Sequence, residues 1–194
     1  MRHEITLTGP AFRIRPVCDS DAEFILSLRT DSALTQYLHA TSSDLSQQLE
    51  WLSRYYDRNG DYYFVVEGLD TSKSEGLVSI YDINETSECG EWGRWILRHN
   101  SLAAIESSML IYRCAFEILN LKSLCSYTVR DNQSVVSFHD SCGIRDSTVI
   151  SGYFTFDGKK RDAVRHIINR TDWPEISKQL EHLSTMVSRK IRYV

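Results

Sequence analysis

The longest helical pattern of the chain lies between two strand-like segments, and this order constrains the fold more than any other feature. Its apolar residues recur at spacings of three and four, as one face of a helix requires: Leu102, Ile105, Met109, Tyr112, Phe116 and Leu119. EWGRWIL (91–97) precedes this helix, and KSLCSYTV (122–129) follows it. A strand, a crossover helix and a second strand predict parallel neighbours in one sheet.

The segments before this unit predict a strand, two helices and an antiparallel meander. FRIR (12–15) alternates as a strand does, and DSDAEFILSLR follows it as a first helix. SDLSQQLEWLSRYYDRNG predicts a second helix, whose buried stripe we expect to be Leu45, Leu49, Leu52 and Tyr56. The strand-like runs at 62–67, 76–83 and 91–97 are separated by polar turns.

The segments after the crossover unit predict a short helix, a hairpin and a terminal helix. The short helix covers 131–143, and Asp157-Gly158 is a hairpin signal between two strand-like halves. We therefore expect an α+β protein with a mixed central sheet of about six to seven strands flanked by helices. It should be a single domain over 1–194, with a core at about 12–170 and a helical extension at 171–194.

Composition excludes several classes of function. The formal net charge is −4, so the basic surface of a nucleic-acid-binding protein is missing. No apolar run reaches the roughly 18 residues that span a bilayer, and the start lacks the core of a secretory signal. The five cysteines stand singly and the histidines show no HxxxH spacing, which argues against a metal site. We expect a cytoplasmic protein without nucleic-acid or membrane partners.

The junction ILRHNSLAAIESS (96–108) runs from a strand into the long helix. A helix N-terminus presents unpaired backbone N–H groups and a partial positive charge, which favour an anion such as a pyrophosphate. Asn100 or Ser101 would cap this helix, leaving donors at Leu102 to Ile105. The junction has no glycine, but Ser101, Ala103 and Ala104 are small, so the backbone donors would still be accessible.

The order of elements and two motifs resemble the GNAT family of acetyl-CoA-dependent N-acetyltransferases, in the branch with ribosomal-protein, polyamine and amino-sugar enzymes. The family's Q/R-x-x-G-x-G/A motif corresponds to the segment Arg98 to Ala103, where Ser101 replaces the central glycine. Its N-x-x-S pattern, which ends in G-F, corresponds to Asn132 to Ile144. The element order agrees from about Phe12 to Arg170.

This resemblance implies a site for acetyl-CoA (coenzyme A) at the strand-to-helix junction. The pyrophosphate would lie on the helix N-terminus, and the pantetheine arm would pair with the preceding strand. Backbone N–H groups near Ile96 to Arg98 would stabilise the oxyanion. The residues expected to bind this ligand are Trp95, Ile96, Leu97, Arg98, Ser101, Leu102, Ala103, Ala104, Ile105, Asn132 and Ser134.

Direct transfer to an amine requires a base for the amine and a proton donor for the leaving thiolate. His139 stands where many relatives have a tyrosine donor, and an ordinary imidazole pKa suits that role; Tyr127 or a water is the alternative. Glu91, or else Glu88, is the expected base, with alternation placing Glu91, Gly93, Trp95 and Leu97 on one side of the strand. We expect acceptor contacts from Tyr37, His39, Tyr81 and Asn84.

The expected activity is acetyl transfer to a primary amine of a small molecule, with an amino sugar or a polyamine favoured. A protein N-terminus is an alternative acceptor, and family members are often homodimers. Two other classes stay open. The altered motifs fit a catalytically weak sensor that binds acyl-CoA, and filled space at the junction would instead indicate an interaction domain without a ligand.

Overall fold

A computed structural model describes residues 2–156 and 158–192 of the chain. Within them lie eight strands: β1 (Leu7–Thr8), β2 (Phe12–Pro16), β3 (Tyr62–Gly68), β4 (Ser74–Asn84), β5 (Cys89–Leu97), β6 (Ser123–Val129), β7 (Asp146–Phe156) and β8 (Lys159–Asn169). The α-helices are α1 (Ala22–Arg29), α2 (Leu45–Tyr56), α3 (Ala104–Arg113), α4 (Gln133–Ser141) and α5 (Trp173–Arg192). Asp157, in the predicted hairpin turn, lies outside the described residues.

The strands form one mixed sheet in the order β1-β2-β3-β4-β5-β6-β8-β7. Strands β5 and β6 are parallel neighbours joined through α3, and the other neighbouring pairs are antiparallel. The predicted crossover unit and mixed α+β architecture are therefore confirmed. The described strands outnumber the six to seven expected, because the short β1 extends one end of the sheet.

Two apolar clusters cover the two faces of the sheet. On the face that we call the α3 face, α3 and α5 pack around Leu110, Tyr112 and Leu180. On the opposite face, the α1–α2 face, Leu52 and Tyr55 of α2 are buried. The predicted α2 stripe is wrong in part, because Leu45 and Leu49 are 38% and 39% exposed.

A β-bulge interrupts β5 before it reaches α3. Ser79 of β4 pairs with Gly93, but Leu77 pairs with Ile96, so β5 contains one extra residue between these pairs. Arg94 adopts a left-handed φ of 48° there, a conformation that costs a non-glycine residue about 1 kcal/mol. Its guanidinium donates to Asp61 at 2.6 and 2.9 Å and lies 4.5 Å from the Tyr81 ring, which holds the bulge in place.

The bulge reverses the side-chain alternation of β5, so the predicted grouping of Glu91, Gly93, Trp95 and Leu97 is wrong. Glu91 contacts Tyr81 across the α1–α2 face. Trp95 and Leu97 instead pack with the cluster on the α3 face. Because an inserted residue turns every later side chain of the strand over, simple alternation fails beyond Gly93.

Strands β5 and β6 part soon after they begin. Their ladder consists of three residue pairs, from Cys89–Ser123 to Glu91–Cys125. Beyond these three pairs, β5 and β6 form no further ladder pairs with each other. This opening, which we call the seam, lies at the C-terminal ends of two parallel strands, where ligands of α/β-type sheets bind.

The bulge gives a first testable prediction. Replacement of Arg94 by Met should lower the free energy of unfolding by about 3 kcal/mol, because the 5%-exposed Asp61 would lose its main partner. Adding Asp61→Asn should recover part of the loss. Urea denaturation measures both effects, with Arg58→Met as the control, since Arg58 lies 3.8 Å from Asp61 and should cost under about 1 kcal/mol. An unchanged midpoint in Arg94→Met would contradict this account of the bulge.

Candidate active site

A cavity of about 650 Å³ fills the seam and extends onto the α1–α2 face. Its walls come from the segment after α1, from β4, β5, β6, α4 and β7. They include many of the residues predicted from the sequence: Tyr37, His39, Tyr81, Glu91, Trp95, Ile96, Leu97, Asn132, Ser134 and His139. The fold therefore brings into one cavity residues that are about 100 positions apart in the chain.

The main chain of β5 offers hydrogen-bonding groups to the seam. The Arg98 N–H donates to Glu75 of β4 at 2.9 Å, and Gly76 pairs with Leu97. Because successive N–H groups of a strand point to opposite sides, those of Ile96 and Arg98 face β4, whereas that of Leu97 faces the seam. Of the oxyanion donors expected near Ile96 to Arg98, only the Leu97 N–H therefore faces the seam.

The N-terminus of α3 carries free backbone donors, although the predicted caps are wrong. The helix begins at Ala104, and Ala103 occupies the cap position without a side-chain hydrogen bond. Asn100 adopts a left-handed turn with a φ of 61°. The Ser101 N–H donates to the Arg98 carbonyl, and the Ser101 hydroxyl accepts from Ala103.

The donors that stay without a partner among the described residues are the N–H groups of Leu102, Ala104, Ile105 and Glu106. This set fits an anionic group. The flanking basic side chains point away from these donors, because Arg98 donates to the Ser74 carbonyl and the His99 Nε2 lies 3.1 Å from Asp31. The backbone, rather than the Arg98 side chain, therefore supplies this positive end.

The start of α4 borders the same opening. Asn132 occupies the cap position, and the Ser134 hydroxyl donates to its side-chain oxygen at 2.9 Å. Both residues line the cavity. Since the Asn132 side chain caps no backbone N–H of its own helix, its amide group is available to a ligand in the seam.

Glu91 is the carboxylate of the cavity wall. It occupies the last pair before β5 and β6 part, and its carboxylate accepts a hydrogen bond of 2.6 Å from the Tyr81 hydroxyl. Burial raises the pKa of Glu91, the nearby Asp82 raises it further, and the Tyr81 hydrogen bond opposes the rise. A carboxylate with a raised pKa is a stronger base than an ordinary one.

The structure separates Glu88 and Asn84 from this cavity. Glu88 forms an ion pair with Lys122 beside the first residues of β6. Asn84 accepts hydrogen bonds from Thr86 and Ser87 in the β4–β5 turn. Both lie at the paired end of the two strands, opposite the seam, so neither is placed to act as a base or to contact the acceptor.

His139 lines the cavity from the α3 face, but its environment differs from that expected of a proton donor. The side chain is 2% exposed, stacks on His166 at 4.7 Å and meets the edge of Trp92 at 5.2 Å. Burial, and after it the neighbouring His166, lowers the pKa of His139 to about 3. Its imidazole is therefore neutral at pH 7, which removes the reason given for its role as an acid.

Aromatic residues complete the cavity, and apart from Tyr127 the sequence did not single them out. Tyr127 of β6 stacks on Tyr153 of β7 with ring centroids 4.5 Å apart. Phe154 and Phe156 of β7 also line the wall, and Phe156 contacts His39 at 4.6 Å. The alternating pattern of GYFTF predicts a strand, but no local pattern shows that its aromatic side chains reach the seam.

Tyr37 and His39 lie where they were expected, in the segment between α1 and α2. The Tyr37 hydroxyl donates to the Asp131 carbonyl at 3.2 Å, and Arg29 donates to the His39 carbonyl at 3.3 Å. These contacts fix the segment against α1, α4 and the β7–β8 hairpin. It therefore closes the cavity on the α1–α2 face.

A parallel strand pair that parts beside the bare N-terminus of a crossover helix defines the acyltransferase class of α+β proteins. The family described as "Acetyltransferase (GNAT) domain" matches residues 12–145. The chain belongs to the GNAT acetyltransferase family, and it is an acyltransferase. No helix among the described residues is long and apolar enough to cross a membrane.

Solved structures agree with this assignment. The sugar acetyltransferase FdhC, described as "a nucleotide-linked sugar GNAT", is 28% identical, with a TM-score of 0.76 over 91% of this chain and 97% of its own. The spermidine/spermine N-acetyltransferase SpeG from Vibrio cholerae is 20% identical, with a TM-score of 0.71 over 85% and 96% of the two chains. A search of the curated proteins found no match.

The buried His139 predicts a stability that depends on pH. Its folded-state pKa lies below the ordinary value of 6.5, so protonation favours the unfolded chain, and stability present above pH 6.5 is lost as the pH falls. Between pH 7 and pH 5 this one residue should remove about 2 kcal/mol from the free energy of unfolding. Urea denaturation at both pH values measures the loss.

Between pH 7 and pH 5, the free energy of unfolding of His139→Phe should fall by about 2 kcal/mol less than that of the wild type. The control is His182→Gln, because His182 is exposed on α5 and should leave the loss unchanged. Equal losses in wild type and His139→Phe would mean that His139 titrates normally.

Proposed function

We propose that the protein transfers an acetyl group from acetyl-CoA to the primary amine of a small molecule, and that this acceptor is an amino sugar. The observation that carries the proposal is the position of Glu91, a half-buried carboxylate at the point where β5 and β6 part. Transfer would be direct, from thioester to amine, without a covalent enzyme intermediate. A protein N-terminus is the alternative acceptor.

The residues present fit acetyl-CoA, which supplies the activated acetyl group. The N–H groups of Leu102, Ala104, Ile105 and Glu106 have no partner among the described residues and would hold its diphosphate. The seam-facing main chain at Leu97 and the side chain of Asn132 would hold its pantetheine arm. Ser101 replaces a glycine of the family motif, yet its side chain turns to the Ala103 N–H rather than across these donors.

Glu91 would act as the base. It would take the proton of the acceptor ammonium directly or through a water, and its raised pKa suits that transfer. Tyr81 would hold the carboxylate in place through its 2.6 Å hydrogen bond. The Leu97 N–H, which faces the seam, would stabilise negative charge on the acyl oxygen.

The proton donor for the leaving thiolate would be Tyr127 rather than His139. Burial raises the pKa of Tyr127, so its hydroxyl keeps a proton to donate at pH 7. The neutral His139 would instead hold the wall of the cavity and share a hydrogen bond with the Ser126 hydroxyl, which lies 3.5 Å from its Nε2. A water in the cavity is the alternative donor.

The lining of the cavity favours an amino sugar over a polyamine. Among its described residues Glu91 is the sole carboxylate, whereas a polyamine has several cationic groups to pair. Aromatic rings of Tyr37, Tyr127, Phe154 and Phe156 supply flat apolar surface for the C–H faces of a sugar ring. The similarity to FdhC supports the same choice.

The role of Glu91 is tested by turnover. Glu91→Gln should lower kcat by about 10² to 10⁴, because the loss of a general base has that effect, with little change in affinity for coenzyme A. In the wild type, kcat should fall as the pH drops through the raised pKa of Glu91, and this acid limb should be absent from Glu91→Gln. Thiol release over a panel of primary amines measures both.

Glu88→Gln is the matched control, because Glu88 pairs with Lys122 away from the seam, and its kcat should equal that of the wild type. Wild-type activity in Glu91→Gln would remove Glu91 from the mechanism. Tight binding of coenzyme A, seen as a raised melting temperature, without thiol release for any amine would favour a sensor instead of an enzyme.

A further inference from the structure

A second cavity, of about 400 Å³, lies between the end of β6 and the start of β8. All of its lining residues are charged: Arg130, Asp131, Lys159, Lys160, Arg161 and Asp162. Four cations against two carboxylates give these residues a net charge of +2, in a chain whose net charge is −4. We call this group the basic cavity.

The ion pairs described within the basic cavity involve its two arginines and neither of its two lysines. Arg161 pairs with Asp131 at 2.6 Å, and Arg130 pairs with Asp162 at 3.3 Å. These pairs use both carboxylates, and they hold the end of β6 against β8. Lys159 and Lys160 are exposed and have no acidic partner among the described residues, so their charge is available to an anion.

The basic cavity adjoins the seam cavity. Asp131 lines the first and accepts the Tyr37 hydroxyl at 3.2 Å, while Tyr37 lines the second. Asn132, the next residue along the chain, also lines the seam cavity. A molecule whose amine lies near Glu91 can therefore extend past Tyr37 toward the lysines, along the segment that closes the α1–α2 face.

We propose that the basic cavity binds a phosphate or diphosphate group of the acceptor, so that the amine substrate is a phosphorylated compound such as a nucleoside-diphosphate-linked amino sugar. This inference rests on the proposed function and specifies its substrate class. Ammonium groups bind phosphate oxygens through charge-assisted hydrogen bonds. Lys159 pairs with Phe156 and lies on the same face of the hairpin, whereas Lys160 lies on the other face. The two lysines would therefore hold the anionic end from both sides of β8, and the seam cavity would hold the amine.

The experiment must distinguish phosphate groups of the acceptor from those of coenzyme A, because either could bind the lysines. The probe is therefore inorganic pyrophosphate, titrated by calorimetry into protein that is already saturated with coenzyme A. Pyrophosphate should bind, and the double variant Lys159→Ala/Lys160→Ala should weaken it about tenfold, as expected for the loss of charge-assisted contacts. Its affinity for coenzyme A should stay unchanged.

The matched control is Lys178→Ala/Lys190→Ala, which removes two exposed lysines of α5 and should leave pyrophosphate binding unchanged. All four substitutions are on exposed side chains, so the variants should fold, and their melting temperatures check this. In the kinetic arm, a nucleoside-diphosphate-linked amino sugar should show a KM about tenfold higher in the first variant than in the wild type, with kcat retained.

Several results would overturn the proposal. The first is that pyrophosphate fails to bind the protein loaded with coenzyme A, the second is that it binds equally well after both lysines are removed, and the third is that coenzyme A abolishes its binding. A loss of affinity for coenzyme A in the lysine variant, absent with 3′-dephospho-coenzyme A, would assign the lysines to the cofactor. Failure of the protein to bind coenzyme A at all would refute the proposed function instead, and it is seen before any pyrophosphate is added.

Discussion

The parting of β5 from β6 is the constraint on which the site depends. The Arg94 bulge lies just beyond the last pair of the β5–β6 ladder, and it is held by the Asp61 ion pair and the Tyr81 ring. Beyond it, the outer edge of β5 faces an opening instead of a partner strand. Backbone groups that a regular sheet would pair are therefore free to bind a ligand.

The opening also places two chemical environments on opposite sides of one cavity. On the α1–α2 face, Glu91 and Tyr81 form a half-buried polar pair, and the aromatic wall of β6 and β7 lies beside them. On the α3 face, His139 is enclosed by Trp92 and His166 and stays neutral. Burial raises the pKa of the carboxylate on the first side, whereas the imidazole on the second side packs among aromatic rings.

Local sequence patterns predicted the elements but not the way in which they meet. The 102–119 stripe and the flanking runs gave the β5–α3–β6 unit, since spacing of apolar residues depends on one element alone. The inserted residue at Arg94 has no such signature, because its stabilising partner, Asp61, is 33 positions away. The alternation predicted for Trp95 and Leu97 failed for that reason.

The same limit applies to the site residues. The sequence offers Glu88 as a second choice of base after Glu91, and the ladder that ends at Glu91 separates the two in space. The type of residue at position 139 was informative, but its pKa is lowered by burial and then by the neighbouring His166 of β8, and neither is visible in a local pattern. Phe154 and Phe156 reach the cavity through the pairing of β7 with β8, a tertiary arrangement that a local pattern does not record.

The central claim is that main-chain N–H groups at the seam and at the start of α3 bind coenzyme A. Amide resonances in a ¹⁵N–¹H correlation spectrum report on these donors directly. Titration with coenzyme A should shift the resonances of Leu97, Leu102, Ala104, Ile105 and Glu106 most. Shifts confined to other parts of the chain, with these five resonances unmoved at saturation, would contradict the account.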